Sequence, residues 1–266
     1  MPRIRANGIE INYALDGPPA GPVVMLSNSL LTDYRMWEPQ VPALARNYRV
    51  LRYDTRGHGG SEASEPPYSM AMLADDAVGL LDALEIARVH FVGLSMGGMI
   101  GQRLASRYPE RVASLALCDT AARMPPASVW DERIALAQAK GTAAFVEPMT
   151  TRWLTEAYRA SHADVLRGLA AMISGTSVPG FVGCCRAIQA MDHVELLATI
   201  KAPTLVLVGE HDVGTPVAAA EALHRGIAGS ELRVLRDAAH LTNIEQTQAF
   251  NEALTGFLAR AQAGRP

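Results

Sequence analysis

The chain has 266 residues, of which 49 % are hydrophobic and 19 % are charged, and its formal net charge is −3. This length is enough to bury the core of a globular α/β domain and to carry an inserted subdomain. The small charge gives no field that would attract nucleic acid or an anionic membrane surface, so both are excluded and a small-molecule partner is expected.

Hydropathy and cysteine usage bear on the compartment and on cofactors. No apolar run reaches the roughly 18 residues of a membrane span, and the first residues alternate instead of forming a signal segment, which predicts a cytoplasmic protein. The three cysteines are Cys118, Cys184 and Cys185. An odd number with two adjacent members fits neither a disulfide framework nor a spaced metal site, so we predict buried free thiols and no cofactor.

The chain begins with a predicted hairpin and continues with short apolar runs. Asn7-Gly8 separates two alternating segments, and this residue pair favours a two-residue β-turn because both positions tolerate positive φ. The runs that follow are rich in β-branched residues and almost unbroken, as is typical of parallel strands covered on both faces. They span residues 22–27, 49–54, 88–94, 111–119, 203–209 and 231–237.

Segments with an apolar stripe at helical spacing lie between these runs. They span residues 69–86, 96–110, 216–227 and 247–261. The alternation predicts an α/β fold with a mostly parallel, doubly wound sheet. It stops near residue 122 and resumes near residue 200, and the residues between are typical of helices. We therefore predict a core of residues 1–121 and 199–266 with an inserted all-helical cap, or lid, of residues 122–198.

A glycine-rich stretch around Ser95 marks the turn between a predicted strand and the next helix. The letters GLSMG fit the G-x-S-x-G pattern, in which small neighbours let the serine adopt a strained conformation that raises its hydroxyl above the sheet. The following helix directs its first amides at the same place, so the Met96 N–H is a candidate oxyanion donor. The stretch has neither a phosphate-loop ending nor a dinucleotide fingerprint, so a nucleotide site is excluded.

A serine nucleophile needs a base and an acid that orients it, in the chain order serine, acid, histidine for this architecture. His240 follows the last predicted strand, at the carboxyl edge where open α/β sheets gather ligand-binding residues. Asp212 follows the preceding strand at the same edge. Asp119 is the alternative acid because its strand ends there too, and His211, next to Asp212, is expected at the surface.

The second oxyanion donor is expected in the loop after the first parallel strand, which lies beside the serine turn. The backbone N–H of Leu30 is the candidate. Asn28 and Ser29 are expected to shape this turn, and Asn28 also counts among the predicted substrate-binding residues.

These residues resemble the α/β-hydrolase superfamily over almost the whole chain. The stretches LSNSLLTDYRMWEPQ, GFVGCCRAIQAMD, PTLVLVGEHDVGTP and AAHLTNIEQ are similar to those of 3-oxoadipate enol-lactonases. Asn28-Ser29 stands where many relatives have His-Gly, and the GCC letters are a second discriminating feature. The chain departs from the pattern at Leu31, where glycine is common, and at Val213-Gly214, where proline-containing versions are frequent.

The resemblance implies hydrolysis of 3-oxoadipate enol-lactone to 3-oxoadipate, a step of the β-ketoadipate pathway of aromatic degradation, through an acyl-enzyme. It assigns Ser95 as nucleophile, His240 and Asp212 as its partners, and the amides of Leu30 and Met96 as the oxyanion hole. No metal or organic cofactor is implied.

An anionic lactone requires a cationic group in a mostly apolar pocket, and the planar guanidinium of arginine pairs with both carboxylate oxygens. Arg133 in the predicted cap is the preferred candidate, with Arg35 and Arg186 as alternatives. Trp130 and Trp153 are predicted to wall the pocket.

Other functions share the same residues. A general carboxylesterase, a carbon–carbon bond hydrolase and a cofactor-free perhydrolase would all use Ser95. A non-catalytic receptor of this fold would bind a small molecule without turning it over.

Overall fold

One central sheet organises the structure. The computed structural model describes residues 2–124 and 126–264, and within them eight strands pair in the order β1-β2-β4-β3-β5-β6-β7-β8. The strands are β1 (Arg3–Ala6), β2 (Ile9–Asp16), β3 (Val23–Ser27), β4 (Arg49–Tyr53), β5 (Val89–Leu94), β6 (Val112–Cys118), β7 (Thr204–Gly209) and β8 (Glu231–Leu235). β2 is antiparallel to both β1 and β4, and the remaining pairings are parallel. The predicted α/β fold with its N-terminal hairpin is therefore confirmed.

Helices connect the parallel strands and fill the long segment between β6 and β7. They are α1 (Val41–Leu44), α2 (Met70–Ala83), α3 (Met96–Arg107), α4 (Ala127–Lys140), α5 (Val146–Trp153), α6 (Glu156–Ser161), α7 (Ala163–Gly175), α8 (Val178–Gln189), α9 (Val217–Gly226), α10 (Thr242–Glu245) and α11 (Thr247–Gln262). Short 3-10 helices span Tyr34–Gln40, Pro109–Arg111, Thr142–Phe145 and Glu195–Thr199. Helix α3 ends earlier than predicted, because Pro109 lacks an N–H and disfavours the helical conformation of the residue before it.

The interior of the sheet is apolar because its parallel strands are covered on both faces. Every residue of β5 and of β7 is buried, whereas the edge strand β8 is partly exposed along its length. Helix α3 packs against β3, β5 and β6. This packing fixes the start of α3 at the carboxyl edge of the sheet, where the predicted site residues lie.

Helices α4–α8 occupy the segment predicted as a cap, and the described part of residues 122–198 contains no strand. The segment leaves and rejoins the core at one place. There an isolated bridge joins Arg123 to Asp192, their side chains form an ion pair, and the His193 N–H donates to the Ala122 carbonyl at 2.8 Å. Inside the segment, the rings of Phe145 and Phe181 pack against each other with their centres 4.8 Å apart.

Two further predictions concern membranes and thiols. No single helix of the described chain is long and apolar enough to span a membrane; only α7 and α8 taken together reach the required length and composition, and they are bent by 91°. Cys118, Cys184 and Cys185 are buried free thiols, as predicted.

Candidate active site

Ser95 stands on a strained turn between β5 and α3. Its φ of 55° lies in the left-handed region, which residues with a side chain rarely adopt and which costs about 1–3 kcal/mol. Hydrogen bonds hold the turn: the Ser95 N–H donates to the Cys118 carbonyl at 2.9 Å, and the Thr120 hydroxyl donates to the Ser95 carbonyl at 2.7 Å. These bonds fix the backbone of the turn, and Ser95 lines the cavity described below.

Two of the neighbouring glycines are required by close backbone contacts. A Cβ at Gly93 would lie 2.1 Å from the Gly97 carbonyl oxygen, and a Cβ at Gly97 would lie 2.1 Å from the Ser27 carbonyl oxygen. The Gly97 N–H also donates to the Asn28 carbonyl at 3.0 Å, which ties the serine turn to the loop after β3. These contacts explain why the chain places residues without side chains on both sides of Ser95.

His240 and Asp212 form a buried pair at the same edge. His240 Nδ1 lies 2.8 Å from Asp212 Oδ2. The carboxylate also accepts the Gly214 N–H at 2.7 Å, the Thr215 N–H at 3.0 Å and the Thr215 hydroxyl at 2.6 Å. Burial raises the pKa of Asp212, but the His240 charge and the hydrogen bonds from His240 and Thr215 outweigh it and hold that pKa well below its usual range. An ionised Asp212 can orient the imidazole and stabilise its protonated form.

Asp119, the alternative acid, lies deeper and faces other groups. Its carboxyl accepts the Gly209 N–H at 2.9 Å and is hydrogen-bonded to the Thr242 hydroxyl. Burial, followed by the negative charge of Asp212, raises its pKa well above the usual value. The structure thus places Asp212 and not Asp119 against His240. His211 is exposed, as expected.

The loop after β3 brings a second free amide to the site. Within the described chain, neither the Leu30 N–H nor the Met96 N–H donates a hydrogen bond to another protein group. Leu31 has a φ of 67°, the left-handed conformation that favours glycine. The position where the family pattern has glycine is therefore one where this chain forces a leucine into a glycine-like backbone.

Asn28 differs from the expectation that it contacts substrate. Its amide nitrogen donates to the Tyr53 carbonyl at 2.8 Å, and its amide oxygen accepts the Trp37 indole N–H at 3.0 Å. The side chain is fully buried and lies outside the lining of the cavity. Because both polar ends have protein partners, Asn28 supports the loop that carries Leu30.

A cavity of about 300 Å³ lies between this edge of the sheet and the helices α4, α5 and α8. Ser95 and His240 face it from the core, and Leu30 lines it from the loop after β3. The predicted wall residues Trp130 and Trp153 line it from α4 and α5. Most of the remaining lining is apolar and comprises Leu31, Met99, Met124, Val129, Phe145, Met149, Phe181, Ile188 and Val213.

Two arginines face the cavity, and one of them was predicted from the sequence. Arg133 lies over the Trp130 ring at 4.7 Å. Arg152, which was not predicted from the sequence, lines the cavity beside Gly214. Neither guanidinium has a carboxylate partner among the described residues. Burial lowers the pKa of Arg133, and the charge of Arg152 acts in the same direction.

The two alternative arginines are engaged elsewhere. Arg35 is paired with Asp33 at 2.6 Å, and Arg186 with Asp131 at 2.6 Å, and neither lines the cavity. Of the three candidates from the sequence, the structure therefore leaves Arg133 free to bind an anion.

Sequence models of known families match both halves of the chain. One, described as alpha/beta hydrolase fold, matches residues 22–174. The chain belongs to the alpha/beta hydrolase family. A second model, described as TAP-like protein, matches residues 176–266 of this hydrolase.

Relatives of this alpha/beta hydrolase include enol-lactonases. It is 36 % identical to 3-oxoadipate enol-lactonase 2 of Acinetobacter baylyi, over 97 % of this chain and 96 % of that protein. The crystal structure of the enol-lactonase from Burkholderia xenovorans matches with a TM-score of 0.95 and 42 % identity, over 97 % of this chain and 100 % of that one. A protein of Variovorax paradoxus named carbamate hydrolase RutD is 34 % identical, over 95 % of this chain and 97 % of that protein. The resemblance to enol-lactonases is confirmed.

Proposed function

We propose that this hydrolase opens 3-oxoadipate enol-lactone to 3-oxoadipate with Ser95, His240 and Asp212. The observation that carries the proposal is one cavity in which Ser95, on a strained turn, and His240, oriented by Asp212, face two guanidinium groups. Neither guanidinium has a carboxylate partner among residues 2–124 and 126–264. The named relatives support the substrate class.

The first half of the reaction would form an acyl-enzyme. Ser95 attacks the lactone carbonyl while His240 takes the hydroxyl proton, and Asp212 stabilises the imidazolium that results. Negative charge develops on the carbonyl oxygen, and the Leu30 and Met96 amides are free to bind it. Each such donor typically contributes about 3 kcal/mol to lowering the barrier.

Ring opening would then release an enolate, which His240 can protonate. An enolate is a better leaving group than an alkoxide, and its tautomerisation to a ketone makes the step difficult to reverse. The leaving group stays attached to the acyl chain because the substrate is cyclic. Water activated by His240 would hydrolyse the ester on Ser95 and release 3-oxoadipate.

Arg133 would bind the carboxylate of the lactone side chain. A carboxylate that leaves water for a mostly apolar cavity needs a cationic partner, and a fork of two parallel N–H groups is the strongest one available in a protein. The Arg133 guanidinium carbon lies 4.7 Å from the centre of the Trp130 ring, a cation–π contact that helps to hold the group at the cavity wall.

The proposal is tested by comparing kcat/KM for the anionic enol-lactone, for a neutral ester such as p-nitrophenyl acetate, and for a small neutral carbamate. We expect the lactone to be the best of the three. Arg133→Ala should raise KM for the lactone about tenfold or more and change KM for the neutral ester less than about twofold, since a desolvated charge pair is worth more than about 1.4 kcal/mol.

Arg186→Ala is the matched control, because Arg186 also belongs to the cap segment but is paired with Asp131. Arg186→Ala should leave KM unchanged for both the lactone and the neutral ester. Equal effects of Arg133→Ala on the lactone and the ester would remove Arg133 from carboxylate binding. A carbamate turned over faster than the lactone would replace the proposed substrate.

A further inference from the structure

We propose that Glu245 is a positioning residue, whose carboxylate joins the backbone after α5 to the loop of His240 and thereby sets the place of the imidazole. The proposal rests on the catalytic role of His240 under the proposed function. It concerns a residue that lines no part of the cavity.

The carboxylate of Glu245 has partners in two separate parts of the chain. Glu245 is the last residue of α10 and is 8 % exposed. Its Oε2 accepts the Ala239 N–H at 2.7 Å, directly before His240. Its Oε1 accepts the Thr155 N–H at 2.9 Å and the Thr155 hydroxyl, at the start of α6. One buried carboxylate therefore links the segment between α5 and α6 to the histidine loop.

A second link joins the same two segments. The carbonyl oxygen of Trp153, the last residue of α5, accepts the N–H groups of both His240 and Leu241 at 3.0 Å. Three consecutive amides, from Ala239 to Leu241, thus donate either to Glu245 or to the backbone that Glu245 holds. The side chain of Trp153 lines the cavity, so the same arrangement also fixes one wall of the site.

Hydrogen bonds to an ionised carboxylate are about twice as strong as neutral ones, and a buried carboxylate that loses a donor is costly. Glu245 therefore favours one relative placement of residues 153–155 and 239–241. His240 must reach Asp212 with one ring nitrogen and Ser95 with the other, and a misplacement of about 1 Å in such an arrangement can cost on the order of 100-fold in rate. We infer that Glu245 acts on kcat through His240.

The experiment uses Glu245→Gln, which keeps the shape of the side chain but gives one of the two links a donor in place of an acceptor. We expect kcat for p-nitrophenyl acetate to fall about tenfold or more while KM changes less than about threefold. The rate at which a fluorophosphonate labels Ser95 should fall in parallel, because that reaction also needs the base.

A pair of substitutions at Thr155 and one control separate positioning from general support of the cap. Thr155→Val removes the hydroxyl that donates to Glu245 and should lower kcat, whereas Thr155→Ser keeps it and should restore kcat. Tyr158→Phe removes a different hydrogen bond between the same helix region and the core, the one to the Ile244 carbonyl at 3.2 Å, and should leave kcat near the wild-type value.

Two results would overturn the proposal: a folded Glu245→Gln protein with kcat within about twofold of wild type, or an equal loss in Tyr158→Phe. If Glu245→Gln does not fold, the Thr155 pair decides, and equal kcat in the Val and Ser variants rejects the proposal. Failure of the fluorophosphonate to label Ser95 in the wild-type protein would reject the proposed function itself. That result is seen without any variant, so it cannot be confused with failure of the Glu245 proposal.

Discussion

At the scale of single residues, two buried carboxyl groups of the site have pKa values shifted in opposite directions because their partners differ. Burial by itself would raise the pKa of both Asp212 and Asp119. Asp212 also receives hydrogen bonds from Thr215 and the charge of His240, so its pKa ends well below the usual range. Asp119 has no cationic partner in the described part of the chain, and the charge of Asp212 raises its pKa further. Asp212 is therefore the carboxylate held ionised beside the imidazole, whereas burial and the charge of Asp212 favour the protonated form of Asp119.

Asn substitutions at the two positions should give opposite kinetic results. Asp212→Asn removes the charge that orients and stabilises His240, and kcat for a chromogenic ester should fall by roughly 10⁴-fold. Asp119→Asn keeps an oxygen that can accept the Gly209 N–H. It places an amide donor against the Thr242 hydroxyl, which donates to the carboxyl in the wild-type protein and would accept in the variant. Its kcat should stay within about threefold of wild type. A severe loss in Asp119→Asn with a mild one in Asp212→Asn would exchange the two roles.

The pKa of Asp119 also predicts a pH dependence of stability. In the unfolded chain this carboxyl ionises near pH 4, whereas in the folded protein it stays protonated to a higher pH. The folded state then binds more protons between the two pKa values, so the contribution of this group to stability falls as pH rises through that interval, with a slope of at most about 1.4 kcal/mol per pH unit. Asp119→Asn removes that contribution.

Urea unfolding of wild type and Asp119→Asn at several pH values between about 4 and 7 measures the difference in their free energies of unfolding. It should shift in favour of the variant as pH rises. A difference that is constant over this range would show that Asp119 ionises normally in the folded protein.

At the scale of elements, the β5–α3 turn depends on glycines, because its backbone contacts are too close for a side chain. Gly97→Ala would push a methyl group against the Ser27 carbonyl, which is backbone and cannot rotate away. We expect it to lower the free energy of unfolding by about 3 kcal/mol and to displace Ser95. Gly168→Ala is the matched control in α7, where a Cβ meets nothing within 4 Å and should instead stabilise the helix by about 0.5–1 kcal/mol. Equal effects of the two substitutions in thermal unfolding would contradict this account.

At the scale of the whole molecule, the protein has a negative net charge but its cavity carries local positive charge. The formal net charge is −3, yet Arg133 and Arg152 both face the cavity without carboxylate partners in the chain as described. A local field of this kind raises the association rate of an anionic substrate, and salt screens it.

Raising the ionic strength from about 0.01 M to about 0.15 M shortens the screening length from about 30 Å to about 8 Å. We expect kcat/KM for the anionic lactone to fall severalfold and that for p-nitrophenyl acetate to stay nearly constant. Arg152→Ala should weaken the salt dependence for the lactone. If kcat/KM depended on salt equally for both substrates, salt would be acting on the protein itself and not on its attraction for a charged substrate.

The sequence predicted those parts of the molecule that local pattern determines. The strand positions follow from unbroken apolar runs, and Ser95, Asp212 and His240 each follow a strand that ends at one edge. Arg152 was beyond prediction because its position depends on where α5 packs on the core. Asn28 was wrongly predicted to contact substrate because its two partners are set by the folded loop: the Tyr53 carbonyl comes from another strand, and the Trp37 indole turns back from nine residues along the chain. Side-chain contacts of this kind leave no periodic signal in the sequence.

The mass of the covalent intermediate tests Ser95 as the nucleophile. The enol-lactone is mixed with the protein, quenched with acid within the first turnovers, and the peptide that contains residue 95 is analysed by mass spectrometry. Because ring opening retains the leaving group, we expect this peptide to gain the full mass of the lactone. Ser95→Ala should show neither adduct nor turnover. An adduct on a different residue, or undiminished hydrolysis by Ser95→Ala, would contradict that role.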